Sequence, residues 1–476
     1  MSDYKLPDFI RARKRGASYQ APIIRDALKL NDVQKSLGRD LFYHVITYGC
    51  QANVRDGEVI SGILEAMQYT HTELLQEADI IILNTCAIRE NAEKRVLGEI
   101  GFLQNYKRLK PSLVLGVCGC MAQEEVVVQK ILKSYPVVDL IFGTHNLFEL
   151  PQMIEKILVN NQKAVSVYSY QGSIFEDMPS VRSLPHKASV MIMDGCDKFC
   201  TYCIVPYTRG QQRSRLAEDV IKEVVQRKQQ GYKEVTLLGQ NVNAYGKDLE
   251  NNGDFGYLLR KVAETGIERI RFTTSHPWDF TEEMVSAIAD YDNIMPYVHL
   301  PLQSGNDEVL RRMGRRYTSR QYRELFDSLK NRIPDVAIST DIIVGFPGET
   351  EEQFLDTLAM VEYCKYDNAY SFVFSPRPGT PAAKMEDNES EEVKKQRLYR
   401  LNERLDFYSK ANNEKWVGKT VKVLVDGPSK NNPEIYSGYS PQQKLVNFKL
   451  KAAEVGDIID VRITEARKNS LNGEQV

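Results

Sequence analysis

Short apolar runs alternate with amphipathic stretches between residues 41 and 160. The apolar runs predict buried strands at Phe42–Thr47, Asp79–Leu83, Leu113–Val117 and Val138–Phe142. Apolar residues at helical spacing begin near Asn53, Glu90 and Gln123. Because strands that alternate with helices along a chain usually pair in parallel, we predict an N-terminal parallel α/β domain over residues 41–160.

The same alternation returns after residues 160–187, a stretch without periodicity that predicts a linker. Strand patterns begin near Ser189, Glu234, Arg269, Tyr297, Ala337 and Ala369. Helical patterns lie between them, and six strand–helix units are too few for a closed eightfold barrel. We therefore predict a central partial (β/α)6 barrel domain over residues 188–412.

The two ends of the chain depart from this alternation. Residues 416–476 predict a small C-terminal antiparallel β-barrel of a kind that often binds nucleic acid. Its predicted strands and turns are Val421–Val425, Lys444–Phe448 and Asp457–Thr464, with turns at Asp426-Gly427, Gly438 and Asn472-Gly473. Residues 1–40 predict a basic N-terminal extension, with nine Lys/Arg against five Asp. Its cluster of Arg11, Arg13, Lys14 and Arg15 fits either a solvated terminus or a contact with phosphate.

Composition narrows the class of protein. A chain of 476 residues is long enough for about three domains. The formal net charge of −2 excludes a uniformly polybasic nucleic-acid-binding chain. No apolar run is long enough to cross a bilayer, and the N-terminal segment lacks the apolar core of a signal peptide. We expect a soluble cytoplasmic protein whose eight cysteines serve as thiols rather than as disulfides.

Three cysteines lie in one short loop. Cys196, Cys200 and Cys203 follow the apolar strand Val190–Met193 with the spacing CxxxCxxC. Three thiolates on one tight loop can bind three irons of a 4Fe-4S cluster and leave the fourth iron open for another ligand. Zinc is the alternative, but a structural zinc site needs four protein ligands and no histidine is near in the sequence. Inert thiols are a third interpretation.

Three more cysteines occupy equivalent places in the N-terminal domain. Cys50, Cys86 and Cys120 each follow a predicted strand. The carboxyl ends of parallel strands lie at one edge of a sheet, so these thiols are expected at a common site there. Three buried structural thiols are the alternative. Cys118 is expected to point to the opposite side from Cys120 and to pack in the core, as is Cys364 near a helix end.

Several further motifs accompany these cysteines in a fixed order. They are Thr47-Tyr-Gly-Cys50, Asn84-Thr-Cys86-Ala-Ile-Arg89, Gly119-Cys120-Met-Ala-Gln123, Pro206-Tyr-Thr-Arg209-Gly210, His299-Leu-Pro-Leu-Gln303-Ser-Gly305, Gly345-Phe-Pro-Gly348, Phe374-Ser-Pro-Arg377 and Lys444-Leu-Val-Asn447-Phe448. This set resembles the radical SAM superfamily and, within it, the MiaB-type tRNA methylthiotransferases. The resemblance covers residues 41–475, including a C-terminal TRAM-like RNA-binding domain. It departs at Gln212 and Pro378, where Glu is usual in the family.

The resemblance implies an activity and its cofactors. The CxxxCxxC loop would bind the 4Fe-4S cluster that coordinates S-adenosyl-L-methionine (SAM), and the three N-terminal thiols would bind an auxiliary 4Fe-4S cluster that supplies sulfur. One SAM would donate the methyl group and a second SAM the radical. The product would be a methylthio group on carbon 2 of isopentenyl-adenosine next to the anticodon of tRNA. Implied partners are that tRNA, an unidentified electron donor and proteins that supply iron–sulfur clusters and sulfur, with no membrane; a monomer is the default.

Polar residues at the ends of the second and fourth barrel strands and within the fifth strand are the expected SAM contacts. They are Gln240, Asn241, Gln303, Ser304, Gly305, Ser339, Asp341 and, through the resemblance, Gly345. Hydrogen bonds at strand–loop junctions are their alternative role. Arg209, Arg213 and Arg215 follow the cysteine loop and are expected to bind the SAM carboxylate or RNA phosphate, or to form a solvated basic patch.

Three other functions compete with the one implied. Two are sister activities, on threonylcarbamoyl-adenosine in tRNA and on an aspartate of a ribosomal protein. The third is a protein that binds RNA or stores iron and sulfur without turnover, for which no SAM cleavage is expected under reducing conditions. Motifs around Asn91, between Pro376 and Pro381, and at Lys444–Phe448 favour isopentenyl-adenosine.

Overall fold

A computed structural model describes residues 4–8, 12, 21–26, 28–87, 90–169, 173–250, 253–429 and 432–476, with no side chains described at 90–92. The basic cluster Arg11, Arg13, Lys14 and Arg15 lies outside the described residues, and so does the side chain of Asn91. Within the described part of the chain, no helix combines the length and the apolar character needed to cross a membrane.

The secondary structure follows the chain in this order. The strands are β1 Ile23–Ile24, β2 Phe42–Thr47, β3 Thr70–His71, β4 Ile80–Thr85, β5 Val114–Gly119, β6 Leu140–Phe142, β7 Ala164–Ser166, β8 Ile174–Phe175, β9 Lys187–Met191, β10 Met193–Asp194, β11 Arg213–Ser214, β12 Glu234–Leu238, β13 Arg269–Phe272, β14 Tyr297–His299, β15 Ala337–Val344, β16 Asn368–Val373, β17 Thr420–Ser429, β18 Asn432–Tyr439, β19 Leu445–Lys449, β20 Ile458–Ala466 and β21 Leu471–Gln475. The α-helices are α1 Gln51–Ala66, α2 Glu90–Leu109, α3 Glu125–Ser134, α4 Leu150–Asn160, α5 Val205–Thr208, α6 Ala217–Gln229, α7 Phe255–Glu264, α8 Glu282–Asp290, α9 Asp307–Arg312, α10 Ser319–Arg332, α11 Glu351–Cys364 and α12 Glu391–Glu414. Short 3-10 turns include Cys120–Gln123 and Pro277–Asp279.

The described chain divides into two compact units, each made of separate stretches. Unit 1 comprises Met1–Ser183, Met193–Phe199 and Cys203–Arg215. Unit 2 comprises Leu184–Ile192, Cys200–Tyr202 and Leu216–Val476.

Unit 1 is built on a six-stranded sheet in the order β3-β2-β4-β5-β6-β7, with every pair parallel. Strands β4 and β5 are buried along their whole length, because apolar helix faces cover both sides of the sheet. This confirms the predicted parallel α/β fold, and Phe42–Thr47 has the bounds predicted for it.

The prediction of a linker at residues 160–187 is wrong. Strand β7 lies in this stretch and completes the sheet beside β6. Farther along, the Val181 amide donates to the Glu58 carbonyl on α1, and Arg182 Nη1 lies 2.8 Å from Glu58 Oε2. A three-residue strand is too short to show periodicity in the sequence, so the pattern failed here.

Unit 2 contains the partial barrel. Strands β9, β12 and β13 pair in parallel, as do β14, β15 and β16. A parallel bridge between Ile270 and Ile294 continues β13 towards β14. The six strands therefore follow chain order, which confirms the predicted open (β/α)6 arrangement. Helix α11 begins with a capping box in which the Thr350 and Gln353 side chains bond each other's backbone amides.

A closed five-stranded barrel, ordered β17-β18-β19-β21-β20, forms the C-terminal part of unit 2. The barrel is as predicted, but its β19–β21 pair is parallel. The predicted turns at Asp426-Gly427, Gly438 and Asn472-Gly473 are wrong, since these residues lie within β17, β18 and β21. Gly427 instead follows a register shift after Val425, and a Cβ at Gly438 would lie 2.1 Å from the Leu424 carbonyl oxygen. Glycine thus allows a bulge and a close backbone approach here.

Candidate functional site

The three thiols of the N-terminal sheet converge at its carboxyl edge in unit 1. Asn53 Oδ1 lies 3.9 Å from Cys50 Sγ and 3.6 Å from Cys120 Sγ. Cys86 is close by, because a Cβ at Gly49 would lie 2.9 Å from its Sγ. Gly49 also has φ +116°, so this turn favours glycine on two counts. The sheet topology therefore brings together thiols that are far apart in sequence.

Asn53 organises this edge through its side-chain amide. Its Nδ2 donates to the carbonyl oxygens of Tyr48 at 2.9 Å and Thr85 at 2.8 Å. These bonds tie the loops after β2 and β4 together and leave Oδ1 facing the thiols. In the sequence Asn53 marks only the start of a helical pattern, so this role could not be predicted from it.

A buried arginine completes the group. Arg209 Nε donates to Cys120 Sγ at 3.2 Å, and Nη2 donates to Asn53 Oδ1 at 2.9 Å and to Asp56 Oδ2. Arg209 is 2% exposed. Asp56 follows Asn53 by three residues on α1, which places both on one helix face; that spacing was the signal available in the sequence.

The predicted solvated patch of arginines is wrong. Arg213 is buried like Arg209, Arg215 is partly buried, and both have a carboxylate partner in unit 1. Arg213 pairs with Asp194 at 3.1 Å, and Arg215 pairs with Glu176 at 2.6 Å. The sequence could not reveal these carboxylates because they precede the arginines by about twenty to forty residues in other elements.

The donor set fits an iron–sulfur cluster. Cysteine thiolates are the usual ligands of such clusters, and three of them leave one iron position open. Burial raises the pKa of the Cys120 thiol to about 12, although the Arg209 guanidinium lowers it. Without a metal the thiol is therefore protonated, and metal binding must release that proton.

Cys118 is separate from this group. It is fully buried in the apolar cluster that contains Leu140 and Phe142, whereas Cys120 packs with Ala87 and Tyr207. This agrees with the predicted core position of Cys118. Cys364, at the end of α11, is also buried.

The CxxxCxxC loop contributes to both units. In unit 1, the Cys196 amide donates to the Gly210 carbonyl at 3.1 Å, and Cys203 begins the segment that carries Arg209. In unit 2, Arg315 Nη1 donates to Cys200 Sγ at 3.6 Å. Arg315 Nη2 also donates to the carbonyl of Pro301, in the loop that follows β14. Arg315 lies in none of the sequence motifs and was not predicted as a site residue.

The residues expected to contact SAM lie within or after strands of the unit 2 partial barrel: Ser339 and Asp341 lie within β15, and the others follow β12, β14 or β15. His299, which sequence analysis did not assign, joins two of them: its Nδ1 is 2.8 Å from Ser339 Oγ and its Nε2 is 3.2 Å from Asp341 Oδ2. Asn241 Nδ2 donates to Asp279 at 2.7 Å. Gln303 has φ +68° and bridges to β15. Gln240 directly precedes Asn241 after β12.

The other three expected SAM contacts are engaged within the protein. The Gly305 amide donates to Thr357 Oγ1 on α11 at 2.9 Å, and Ser304 Oγ is 3.4 Å from the same atom. The Gly345 amide donates to Glu349 Oε2 at 2.7 Å. Gly345 has φ +66°, and a Cβ there would lie 2.4 Å from Lys394 Cγ.

Known proteins resemble this chain along its whole length. Residues 42–143 match the uncharacterized protein family UPF0004, 190–361 the radical SAM superfamily, and 414–476 the TRAM domain. The tRNA-2-methylthio-N(6)-dimethylallyladenosine synthases of Staphylococcus aureus strains MRSA252 and Newman are each 50% identical to it over 471 residues, which cover 99% of this chain and 91% of theirs.

Solved structures share the fold at low sequence identity. TsrM from Kitasatospora setae, a radical S-adenosylmethionine methyltransferase with cobalamin and a 4Fe-4S cluster bound, superposes with a TM-score of 0.53 at 15% identity, covering 72% of this chain and 77% of TsrM. Its complex with tryptophan and a SAM analogue gives the same TM-score at 13% identity, covering 72% and 75%. The relatives and the matched domains together establish that the chain belongs to the tRNA-2-methylthio-N(6)-dimethylallyladenosine synthase family of radical SAM enzymes.

Proposed function

We propose that this chain is a radical SAM methylthiotransferase that places a methylthio group on carbon 2 of isopentenyl-adenosine next to the anticodon of tRNA. The observation that carries the proposal is 50% identity over 99% of the chain to enzymes named for this product. The proposed cluster ligands are two sets of three thiols: Cys196, Cys200 and Cys203 for the cluster that coordinates SAM, and Cys50, Cys86 and Cys120 for the auxiliary cluster.

The reaction replaces an unactivated aromatic hydrogen, which acid–base chemistry alone does not readily accomplish. When bound, two 4Fe-4S clusters and two SAM molecules supply the electron transfer, sulfur, methyl group and radical chemistry. The chain's own residues bind these cofactors and orient the ligand sulfurs. Arg209 and Asn53 hydrogen-bond the Cys120 side of the N-terminal thiols, and Arg315 hydrogen-bonds Cys200, so each set has a buried arginine that orients a ligand sulfur.

SAM is proposed to lie across the carboxyl ends of the barrel strands. The proposed contacts are Gln240, Asn241, Gln303, Ser304, Gly305, Ser339, Asp341 and Gly345. His299 is added as a positioning residue, since its two ring nitrogens face Ser339 and Asp341. The proposal also includes an external electron donor and proteins that resupply clusters and sulfur, because each turnover consumes electrons and a sulfur atom. We further propose that the protein acts as a monomer in the cytoplasm, where its tRNA substrate is found.

The test is a single-substrate assay on the reconstituted protein. The protein is loaded with iron and sulfide, mixed with SAM, a reductant and isopentenylated tRNA, and the RNA is digested and its nucleosides are weighed. We expect a mass gain of one methylthio group. Cys50→Ala and Cys200→Ala should abolish it, whereas Cys364→Ala, a buried thiol outside both sets, should retain it.

Other outcomes separate the competing functions. SAM cleavage to 5′-deoxyadenosine without an RNA product would move the assignment to threonylcarbamoyl-adenosine or the ribosomal aspartate, which are tested in the same assay. A fully loaded protein that does not cleave SAM contradicts the enzyme assignment itself.

A further inference from the structure

An exposed tryptophan stands at the carboxyl ends of the barrel strands. Trp278 lies in the 3-10 turn Pro277–Asp279 that follows β13, and 37% of it is exposed. The loop that carries it is firmly held: the His276 amide donates to Asn243 Oδ1 at 2.9 Å, and Asp279 accepts from Asn241 at 2.7 Å and from Lys247 at 2.6 Å. The neighbouring carboxylate of Asp279 is thereby neutralised, and the indole is presented on a rigid support.

An arginine covers this tryptophan. The guanidinium carbon of Arg316 lies 4.9 Å from the centre of the Trp278 ring. Arg316 is exposed, and within the described residues it has neither an ion pair nor a hydrogen bond. Its charge and its N–H groups are therefore available to a ligand, unlike those of Arg312 and Arg315, which donate to protein atoms.

The Trp278–Arg316 pair is close to a proposed cluster ligand. Arg315, the preceding residue, points inward and donates to Cys200 Sγ at 3.6 Å. Tyr317, the following residue, is fixed by its hydroxyl, which donates to the Leu302 carbonyl at 2.7 Å. Successive residues of one rigid segment thus contact the thiol and the exposed indole, and their Cα atoms are only about 3.8 Å apart.

We propose that Trp278 and Arg316 form a binding site for single-stranded RNA, in which one unstacked base of the tRNA anticodon loop stacks on the indole–guanidinium pair. Arg316 would also hydrogen-bond a flanking phosphate. Aromatic rings and arginine planes are the groups on which proteins stack unpaired bases, and a free guanidinium complements a phosphodiester. This inference rests on the proposed function, because it takes the RNA loop as the ligand.

The test measures binding separately from catalysis. The chain has two tryptophans, so Trp416→Phe leaves Trp278 as the only indole. This variant, loaded with clusters, is titrated with an anticodon stem-loop RNA that carries isopentenyl-adenosine, and indole fluorescence is followed. We expect saturable quenching, and in the otherwise wild-type enzyme we expect Trp278→Ala and Arg316→Ala each to weaken RNA binding by about tenfold. Trp278→Tyr should recover much of the affinity.

Matched controls come from a similar pair on the outside of the barrel. The Arg323 guanidinium lies 5.1 Å from the ring of exposed Tyr363, whose hydroxyl donates to Asp327. Tyr363→Ala and Arg323→Ala should leave RNA affinity unchanged. Unquenched fluorescence at saturating RNA, or wild-type affinity in folded Trp278→Ala, overturns the inference. Either of these outcomes leaves the proposed function intact if the wild-type protein of the same preparation makes the methylthio nucleoside. Normal quenching without that product contradicts only the proposed function.

Discussion

The partial barrel of unit 2 has buried arginines at both ends of its strands, and the arginines at the two ends have different partners. At the amino ends, Arg269 and Arg271 donate to backbone carbonyls of the C-terminal barrel, including those of Tyr439 at 2.8 Å and Ser440 at 2.8 Å. At the carboxyl ends, Arg315 donates to the Cys200 thiol, and its neighbour Arg316 is exposed on Trp278.

The contrast shows that local partners, and not residue type, decide what a buried guanidinium does. At the amino ends every N–H that is used meets a carbonyl or the Glu234 carboxylate, so the arginines fix the C-terminal barrel in place. Burial, with repulsion from Arg271, lowers the pKa of Arg269 to about 10. At the carboxyl ends the partner of Arg315 is the thiol of Cys200, a proposed ligand of the cluster that coordinates SAM.

The largest effect is expected at the amino ends. In the wild-type protein Arg271 Nε lies 2.9 Å from Glu234 Oε2. Arg271→Met leaves the Glu234 carboxylate buried without its counter-charge. We expect the free energy of unfolding of unit 2 to fall by about 3–5 kcal/mol. Urea unfolding followed by Trp416 fluorescence in a Trp278→Phe background measures this.

The double variant Arg271→Met/Glu234→Met sharpens the result. Removing both charges abolishes the uncompensated buried carboxylate, so much of the lost stability should return. As a matched control, Arg260→Ala removes an exposed pair with Glu283 and should cost no more than about 1 kcal/mol. A double variant less stable than the single one would show that the arginine acts by packing alone.

A smaller effect is expected at the carboxyl ends. Arg315→Gln removes the donor to Cys200 and shortens the side chain. Groups that orient a metal ligand typically contribute a factor of about 10–100 to metal affinity or activity, so we expect 5′-deoxyadenosine formation to fall by that amount. Arg311→Gln, an exposed change on α9, should behave like the wild type in the same assay. Equal rates for all three proteins would remove Arg315 from the site.

The last effect depends on pH and concerns two buried glutamates, one at each end. Both have an arginine: Arg271 Nε lies 2.9 Å from Glu234, and Arg397 Nη1 lies 3.5 Å from Glu349 Oε2. Burial nevertheless raises the pKa of Glu349 to about 7, although the Gly345 amide and the Arg397 charge lower it. The folded protein therefore holds a proton that the unfolded chain has released above 4.5. The stability that this proton contributes should be fully present below pH 4.5 and be lost as the pH rises through about 7, a loss of up to about 3 kcal/mol.

Glu349→Gln should flatten this decline, because the amide stays neutral throughout. The measurement is the difference between wild-type and variant melting temperatures across that pH range. If the two proteins keep a constant difference at every pH, Glu349 does not titrate there.

Most of the fold could be predicted from the sequence because its strands are regular. Glu234–Leu238 and Phe42–Thr47 begin where the apolar pattern begins. Strands β18 and β21 escaped prediction: Asn432–Tyr439 and Leu471–Gln475 are largely polar, and they belong to a small barrel whose interior needs few apolar residues. Their pairing depends on barrel closure, which is not a local signal.

The site was predictable in part for a topological reason. Parallel strands bring Cys50, Cys86 and Cys120 to one edge whatever their spacing, and the sequence carries that information. It does not carry the pairing of Arg209 with Asp56, which are 153 residues apart. Nor does it reveal that Arg315 is buried while Arg316 is exposed, since that depends on the Tyr317 hydroxyl, which donates to carbonyls in the loop after β14.

Unit 1 is built from three separate segments of the chain, so it cannot be isolated by a single truncation. A truncation after Ser183 keeps the six-stranded sheet but discards Met193–Phe199 and Cys203–Arg215, which belong to the same compact unit. Such a fragment retains Asp56 and Cys120 without Arg209, so the buried Asp56 carboxylate loses the guanidinium that it is ion-paired with. The N-terminal sheet is therefore not an excisable module: its last structural piece is encoded after the first strand of the barrel.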